Sequence, residues 1–505
     1  MQRFPSAISL FAALSFGMPA LAEVTADDVW TNMQAQTRAM GATLTAKQSR
    51  TGETVTVEAQ TIAWTLPEGI GSLTLTAPGF AMVEQGDGTV QILYQATQTY
   101  RMDLVIEGDT ATLDVRMDGA TPHMTASGDP GDITYSVHVA GGMTAAVSTH
   151  APGEAPVTID VVVEGGEAEI QYRVTEGPLL AIAGQATSLP GRFDAEMQMG
   201  AEVAGTVFGT VGGAESSFEL NLPSDGFDIL NVAAALRAGL SLDLKSALES
   251  SDYTVNLDFY GQPFSEERRW SGANHAHFSL DENRLFYDAS GVDAGIVMKG
   301  ENEFDSPVDI AFEAAAASAL LDIPVSGRDD PQPFALRFSF DGLRMGPGLW
   351  SLFDPAKAIP RDPASIDLDL SGMVRNRVDL LNFRQFVGDV SGLPEPELIS
   401  LALSRFAMTG AGTATEATGA FTFDNTDIET FDGLPRPEGA ATYEISGVEG
   451  LIDTLLSMGA IAQEDALGAR LGLGMVTDSV GEDQYRGAVE INEQGHAIVN
   501  GQRMR

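Results

Sequence analysis

The chain has 505 residues, with 71 acidic against 28 basic residues and a formal net charge of −43 at pH 7. Such an excess of negative charge repels phosphate backbones and anionic lipid headgroups at long range, which argues against nucleic-acid binding. The chain contains no cysteine, so disulfides, thiolate nucleophiles, iron–sulfur clusters and cysteine-ligated zinc are excluded.

The first 22 residues have the three parts of a secretory signal peptide. Arg3 supplies the positive start, residues 7–18 form an apolar core too short for a lone bilayer anchor, and residues 20–22 are a small-x-small cleavage motif. We expect cleavage between Ala22 and Glu23 and export of the mature protein to a bacterial periplasm. No later segment has 18 uninterrupted apolar residues, so no integral membrane span is expected after signal removal.

The mature chain is predicted to begin with a helix at residues 25–41, opened by a capping box of Thr25 and Asp28. A long series of strands follows, separated by turns rich in Gly, Asp and Pro. Many strands alternate apolar and polar residues, which indicates antiparallel sheets with one buried and one solvated face. A second helix at residues 227–239, with Ile229 on its apolar side, is predicted to divide two sheets.

Strands resume after this helix and are interrupted by short helical segments. Residues 345–363 predict one helical turn followed by a proline-stiffened connector. Ser446 and Glu449 have the spacing of a capping box, which predicts a helix that begins at Ser446 and ends at Gly459. A further helix is predicted at residues 461–476.

These elements predict a mainly β (α+β) fold of long twisted antiparallel sheets in two sheet domains, each edged by a few short amphipathic helices. The N-terminal β-rich domain, with its leading helix, is expected at residues 23–225. The C-terminal β-rich domain, with several short helices, is expected at residues 226–505. The two halves share this layout without a residue-level repeat of fixed period.

Two clusters could bind a metal ion. His275 and His277 lie two residues apart on a predicted strand, so both imidazoles face the same way and could share a zinc or copper ion. The sequence fixes no third ligand, and a solvated strand face explains the pair as well. The acidic residues between Asp424 and Asp432 have the content of a calcium loop without the EF-hand spacing, so a strand-ending turn is the simpler interpretation.

No catalytic motif is present. The chain has no G-x-S-x-G elbow, no H-E-x-x-H pair, no phosphate-binding loop and no G-x-G-x-x-G after a strand. With 71 acidic residues, some pair always has the spacing of a glycosidase, so that spacing carries no information. We therefore expect no enzyme activity, no catalytic residues and no cofactor.

Three segments resemble an uncharacterised bacterial family, the domain of unknown function 2125. They are DPAKAIPRDP at residues 354–363, the stretch from TGAGTATEATG to GLPRPEG at residues 409–439, and GHAIVNGQRMR at residues 495–505. The positions that match the family pattern are Asn425, Gly433, Pro435, Pro437, Gly439 and residues 500–503. The resemblance implies an exported envelope protein of alphaproteobacteria and carries over no activity. More loosely, the long sheets are similar to the β-groove envelope proteins of the AsmA type, which are associated with lipid transport.

Two functions remain open from the sequence. The first is a structural or interaction module of the cell envelope, in which the sheets close and their edges pair with a partner protein. The second is a periplasmic carrier or binding protein for lipid or another apolar ligand, held in a groove of the sheet. A continuous apolar face left without cover favours the carrier, and full closure favours the module.

Overall fold

A computed structural model describes residues 23–65, 69, 71–119, 121–301, 307–386 and 392–504. The predicted signal peptide at residues 1–22 lies outside the described residues. The fold is mainly β with a few short helices, as the sequence predicts. None of the helices in these ranges is long and apolar enough to cross a membrane. The helices are α1 (Ala26–Ala39), α2 (Val232–Arg237), α3 (Pro347–Phe353), α4 (Val448–Ser457) and α5 (Gln463–Val476), with one 3-10 turn at Phe383–Phe386.

The strands alternate with tight turns along the whole chain. The first group is β1 (Thr43–Thr45), β2 (Gln48–Thr51), β3 (Thr54–Val57), β4 (Gln60–Thr65), β5 (Gly71–Ala77), β6 (Phe80–Glu84), β7 (Val90–Tyr94), β8 (Thr97–Ile106), β9 (Asp109–Asp118), β10 (His123–Asp129) and β11 (Asp132–Val139). The second group is β12 (Met143–His150), β13 (Val157–Gly165), β14 (Ala168–Thr175), β15 (Leu179–Ser188), β16 (Gly191–Met199), β17 (Val203–Val211), β18 (Ala214–Pro223), β19 (Ser241–Leu248), β20 (Ser251–Phe259), β21 (Gln262–Ser271) and β22 (Asn274–Leu280). The third group is β23 (Arg284–Glu301), β24 (Pro307–Pro324), β25 (Gln332–Met345), β26 (Ala364–Arg375), β27 (Glu397–Gly410), β28 (Thr413–Asp424), β29 (Arg436–Ser446), β30 (Asp478–Gly481), β31 (Gln484–Ile491), β32 (Ala497–Val499) and β33 (Gln502–Arg503).

The strands before β23 form two ladders that the chain visits in turn. The first ladder pairs β1-β4-β5-β8-β9-β12-β13-β16-β17-β20-β21, and the second pairs β2-β3-β6-β7-β10-β11-β14-β15-β18-β19-β22. Every pairing is antiparallel. The chain makes a hairpin in one ladder and then crosses to the other, so each ladder is built from alternate hairpins.

The crossings between the ladders are short and lie side by side, and we call the line they form the seam. Backbone hydrogen bonds continue across it, from Gly142 to Gly165 (3.0 Å), from Gly166 to Pro190 (3.1 Å) and from Gly212 to Ser250 (2.7 Å). Gly142 and Gly166 have positive φ values, 91° and 71°, which other residues adopt only at a cost. The seam therefore joins two ladders into a single sheet.

Strand β23 passes through the seam without a break. Its first half pairs with β22 of the second ladder, and its second half pairs with β21 of the first. The strands from β24 to β29 are 11 to 18 residues long and form a meander that continues both ladders at once. Asp293, with φ of 51°, marks the crossing in β23. The ends of these long strands define two rims: the first at Glu301 and Met345, the second at Arg284 and Arg375.

The sequence predicts two sheets, but the hydrogen bonds form one. On either side of residue 225, β17 pairs with β20 and β18 pairs with β19. Helix α2 is also shorter than predicted and sits in the link between β18 and β19, and Ile229 is 60% exposed outside it. The division into domains at 23–225 and 226–505 stays a prediction.

Helix α1 packs between the two ladders and builds the main core. The predicted capping box is confirmed, because the Thr25 hydroxyl accepts from the Asp28 amide and the Asp28 carboxylate accepts from the Thr25 amide. Val29 and Trp30 face a cluster that includes Leu44 of the first ladder and Met82 of the second. Because both ladders contribute to one cluster, their apolar faces point toward the same side, and we call this shared side the apolar face.

A buried polar network fixes α1 on the sheet. The Asn32 side chain is fully buried and donates to Glu176 Oε1 (2.8 Å), while its Oδ1 accepts from the Tyr135 hydroxyl (2.9 Å) and from Gln36 Nε2 (2.9 Å). Burial raises the pKa of the Tyr135 hydroxyl, which keeps it protonated and able to donate.

We expect Asn32→Ala to lower the free energy of unfolding by about 3 kcal/mol, because it leaves buried donors and acceptors without partners. The matched control is Asn256→Ala, which removes one hydrogen bond to Thr206 on the sheet and should cost about 1 kcal/mol. Urea unfolding followed by circular dichroism measures both. Equal losses would mean that the network does not anchor α1.

The start of α4 differs from the sequence prediction. Ser446 is the last residue of β29, Gly447 precedes the helix with φ of 75°, and no side chain at that position caps the helix. Instead, the Asp483 carboxylate accepts from the amides of Glu449 (3.0 Å) and Gly450 (3.1 Å). The predicted capping box at Ser446 is therefore wrong. A carboxylate that is distant in sequence accepts the free amides of the first helical turn instead.

Candidate functional site

One row of residues on the apolar face runs from the buried core into solvent. Residues paired directly across antiparallel strands share a face. Tyr135 is fully buried beneath α1, whereas Leu244, Tyr287 and Leu336 in the same row are 40%, 39% and 38% exposed. The row is Tyr135, Tyr172, Gly184, Phe218, Leu244, Phe278, Tyr287, Leu321, Leu336, Leu370 and Leu403.

A second row, two residues along the strands, is entirely aliphatic. It consists of Ile133, Val174, Ile182, Leu220, Leu242, Leu280, Leu285 and Ile323. The side chains at its β11 end are buried and those at its β24 end are half-buried. The apolar face thus continues past the end of α1 as an open surface of Leu, Ile, Phe and Tyr side chains.

The first ladder carries a narrower apolar track with one polar interruption. Val161, Ala195, Val207 and Val255 form a cross-strand row. The next strand, β21, places Glu267 and Arg269 on this face, opposite Val255 and Tyr253, and the two side chains form an ion pair. The apolar face of the first ladder is therefore less uniformly apolar than that of the second ladder.

The opposite face of the sheet carries charged side chains. Along β13, the apolar-face residues are half-buried and the alternate residues are exposed, in strict alternation. Arginines there pair with carboxylates across the strands, as in Arg405–Asp367 (2.7 Å) and Arg337–Asp369 (3.0 Å). These cross-strand ion pairs therefore lie on the solvated face.

Each rim of the long-strand region has an apolar pocket. At the second rim, a cavity of about 480 Å³ lies between Ile323, Phe334 and the segment around Phe386. At the first rim, a cavity of about 610 Å³ lies between α3, the connector after it and the sheet. We call the cavity at the first rim the α3 pocket. Its lining includes Met345, Trp350, Arg361, Ile366 and Met408. The predicted helical turn before the connector is confirmed as α3.

The connector behind the α3 pocket is held by one buried carboxylate. Asp354 is fully buried and accepts from the amides of Ala358 (2.8 Å) and Ile359 (3.1 Å), with Arg361 Nη2 at 3.4 Å. Burial alone would raise the pKa of this carboxyl, but the amide hydrogen bonds and Arg361 outweigh burial and hold the pKa below its ordinary value.

A group whose pKa is lowered in the folded state stabilises the fold above its unfolded pKa of about 4, and that contribution is lost as the pH falls through the folded value. We therefore expect Asp354→Asn to melt at a lower temperature than the wild type at pH 7, and the difference to shrink below about pH 4. Thermal melting between pH 7 and pH 3 measures this. Asp453→Asn, at a largely exposed carboxylate of α4, serves as the control and should change little. A difference that stays constant with pH would contradict the assignment to Asp354.

The predicted metal candidates lie on the charged face of the second ladder. His277 Nε2 is 2.9 Å from Asp243 Oδ2, and His275 is exposed beside a shallow cavity of about 470 Å³. The structure brings a different set together: His138, Glu167 and Glu169 have ligand atoms within 4.8 Å of one another. His138 Nδ1 lies 2.7 Å from Glu169 Oε1, so a cross-strand hydrogen bond already accounts for this set. The two glutamates are separated from His138 in sequence, and only the strand register shows their proximity.

The carboxylates of the acidic turn after β28 accept hydrogen bonds from the backbone of the turn and pair with one arginine. Asp424 and Asp427 each accept from the amide and hydroxyl of a following threonine, and both pair with Arg436 (3.1 and 3.0 Å). These contacts match a strand-ending turn, which was the simpler of the two sequence interpretations.

Comparison with known proteins gives this chain no family. No protein-family model matches it, and no curated protein matches it. The resemblance to the domain of unknown function 2125 and the looser similarity to AsmA-type proteins remain predictions from the sequence.

Proposed function

We propose that this protein is an exported, non-enzymatic binding protein of the cell envelope that holds an apolar, chain-like ligand on the open part of its apolar face. The observation that carries this proposal is the change in exposure along a single row, from the fully buried Tyr135 to Leu244, Tyr287 and Leu336 at about 40%. Leaving such side chains in water costs about 25 cal/mol per Å² of apolar surface, so an apolar ligand would be stabilised there.

The shape of the open surface favours a chain over a compact molecule. From Leu244 on β19 to Leu336 on β25 the row crosses four strand spacings, a distance of about 19 Å. An alkyl chain laid along it gains about 0.8 kcal/mol for each buried CH₂ group. Two flanking rows and the rim pockets would cover such a chain from the sides.

The test is native mass spectrometry and lipid extraction on protein purified from periplasm, with two adjacent leucines as matched variants. Leu321 belongs to the apolar row, and Leu320 points to the opposite face, between Asp288 and Arg337. We expect the wild type and Leu320→Asp to co-purify with an apolar ligand, and Leu321→Asp to lose it at least about tenfold. A wild type without bound ligand, or equal retention in both variants, would overturn the proposal.

Export is part of the same proposal. The mature chain is expected to start at Glu23 after cleavage at Ala22, and intact mass measurement of the periplasmic protein tests this directly. A chain that still begins at Met1 would remove the periplasm as its location.

A second candidate function, an interaction module for an envelope protein, is favoured by α5. Leu467, Leu471 and Met475 are spaced by four residues on this helix and are 58%, 63% and 64% exposed. Such a stripe fits a hydrophobic groove on another protein. Cross-linking in the periplasm tests this function: Leu467→Ser with Leu471→Ser should remove a cross-linked product that Leu352→Ser, at a more exposed leucine of α3, retains. Identical products from both variants would argue against it.

A further inference from the structure

The α3 pocket combines an apolar lining with an arginine whose hydrogen bonds are incomplete. Arg361 lies with its guanidinium 4.8 Å from the ring centroid of Trp350. Its Nη2 donates to the Asp354 carbonyl at 2.9 Å. Its Nε is buried, and no hydrogen-bond acceptor among the described residues reaches it. A buried donor without a partner costs free energy, and a native site usually supplies that partner in the form of water or a ligand.

The Asp354 carboxylate makes only a weak contact to Arg361. Both Asp354 oxygens accept backbone amides at 2.8 and 3.1 Å, whereas the contact to Arg361 is long, at 3.4 Å. The Arg361 side chain is 29% exposed and lines the pocket beside Trp350, so its guanidinium can donate to an anion there. An arginine edge that offers parallel N–H groups is the usual partner of a carboxylate or a phosphate.

The pocket is continuous with the apolar face. Met345 pairs with Phe312, which pairs with Ile296 on β23. Ile366 pairs with Met408 on the adjoining strand, and both line the pocket. A ligand whose polar end reaches Arg361 can thus lay its alkyl part along this rim of the apolar face.

We propose that the α3 pocket binds the anionic headgroup, a carboxylate or a phosphate, of an amphiphile whose chain occupies the apolar face. This inference rests on the proposed function and adds the chemical class of the ligand and its direction on the apolar face. The net charge of the chain does not prevent it, because exposed charges are screened beyond about 8 Å at physiological ionic strength, while the arginine acts at contact distance.

The experiment measures binding of cis-parinaric acid and of its methyl ester by fluorescence. The acid and the ester share one hydrocarbon chain and differ in the headgroup, which is a carboxylate in the acid and an uncharged methyl ester in the other. We expect the wild type to bind the acid at least about tenfold more tightly than the ester. Arg361→Gln should remove this difference and leave ester binding unchanged, which also shows that the variant is folded. Arg361→Lys, which keeps the charge and loses the planar set of guanidinium donors, should fall between them.

The matched control is Arg405→Gln, at an exposed arginine on the charged face that pairs with Asp367, and it should bind like the wild type. Equal binding of acid and ester by the wild type would overturn the headgroup site and leave ligand binding on the apolar face unaffected. Loss of acid preference in both Gln variants would also overturn it, since the effect would then be overall charge. If neither probe binds the wild type, the proposed function itself fails. Competition by oleate against lysophosphatidic acid then separates a carboxylate from a phosphate ligand.

Discussion

Leu180→Ala is expected to lower the free energy of unfolding by about 4 kcal/mol, while the same substitution at Leu336 costs about 1 kcal/mol. Both leucines lie in β-strands with their side chains on the apolar face. Leu180 is 1% exposed under α1 and α2, and Leu336 is 38% exposed on β25. A buried leucine loses both its transfer free energy and the contacts around the cavity it leaves, whereas a half-exposed leucine loses only part of the first.

Leu352→Ala completes the series, because this leucine of α3 is 78% exposed and should change stability by less than about 0.5 kcal/mol. Urea unfolding followed by circular dichroism measures all three variants at one protein concentration. A loss at Leu336 as large as that at Leu180 would mean that the apolar face is covered in solution, by closure of the sheet or by another chain. That result would favour the interaction module over the carrier.

The alternation of residue types made the strands and their faces predictable. Phe421 and Phe423 have the spacing of one sheet face, and both are half-buried on β28, on either side of the exposed Thr422. Thr25 and Asp28 made the start of α1 predictable because every contact of that cap is local. Local periodicity and local caps are the features that a single sequence carries directly.

The two-ladder arrangement was not predictable in the same way. A crossing at the seam and a hairpin turn are both short and rich in glycine, so residues 165–167 at the seam resemble residues 129–132 at a hairpin. The two differ only in which strands pair afterwards, and pairing is a long-range property of the sheet. The cap of α4 by Asp483 was missed for the same reason.

The candidate site was also only partly predictable from the sequence. Trp350 and the prolines of the connector are visible in the sequence, but the missing partner of Arg361 Nε appears only when α3, Asp354 and the sheet are placed together. His138 and Glu167 likewise meet through strand register. Sites built from several strands of one sheet leave no fixed spacing in the sequence to find them by.

Strand glycines opposite aromatic residues give the second large effect. Gly295 pairs directly with Trp270, and a Cβ added to Gly295 would lie 2.1 Å from Cζ2 of the indole. The same arrangement places a ring over the glycine in three other cross-strand pairs: Gly184 with Phe218, Gly372 with Phe334, and Gly487 with Tyr443. In a one-layer sheet, such a ring covers backbone that no second layer protects.

We expect Gly295→Ala to lower the free energy of unfolding by about 2 kcal/mol, because the indole must leave its position. Gly291→Ala, on the same strand, is the control: the nearest atom to its added Cβ is at 3.4 Å, so the loss of chain entropy in the unfolded state should stabilise it by up to about 1 kcal/mol. In a Trp270→Ala background, Gly295→Ala should behave like Gly291→Ala. Urea unfolding of the double-mutant cycle measures the coupling. If Gly295→Ala costs the same with and without the indole, the ring is not what makes glycine necessary there, and cover of the strand backbone by aromatic rings is not what stabilises the open sheet.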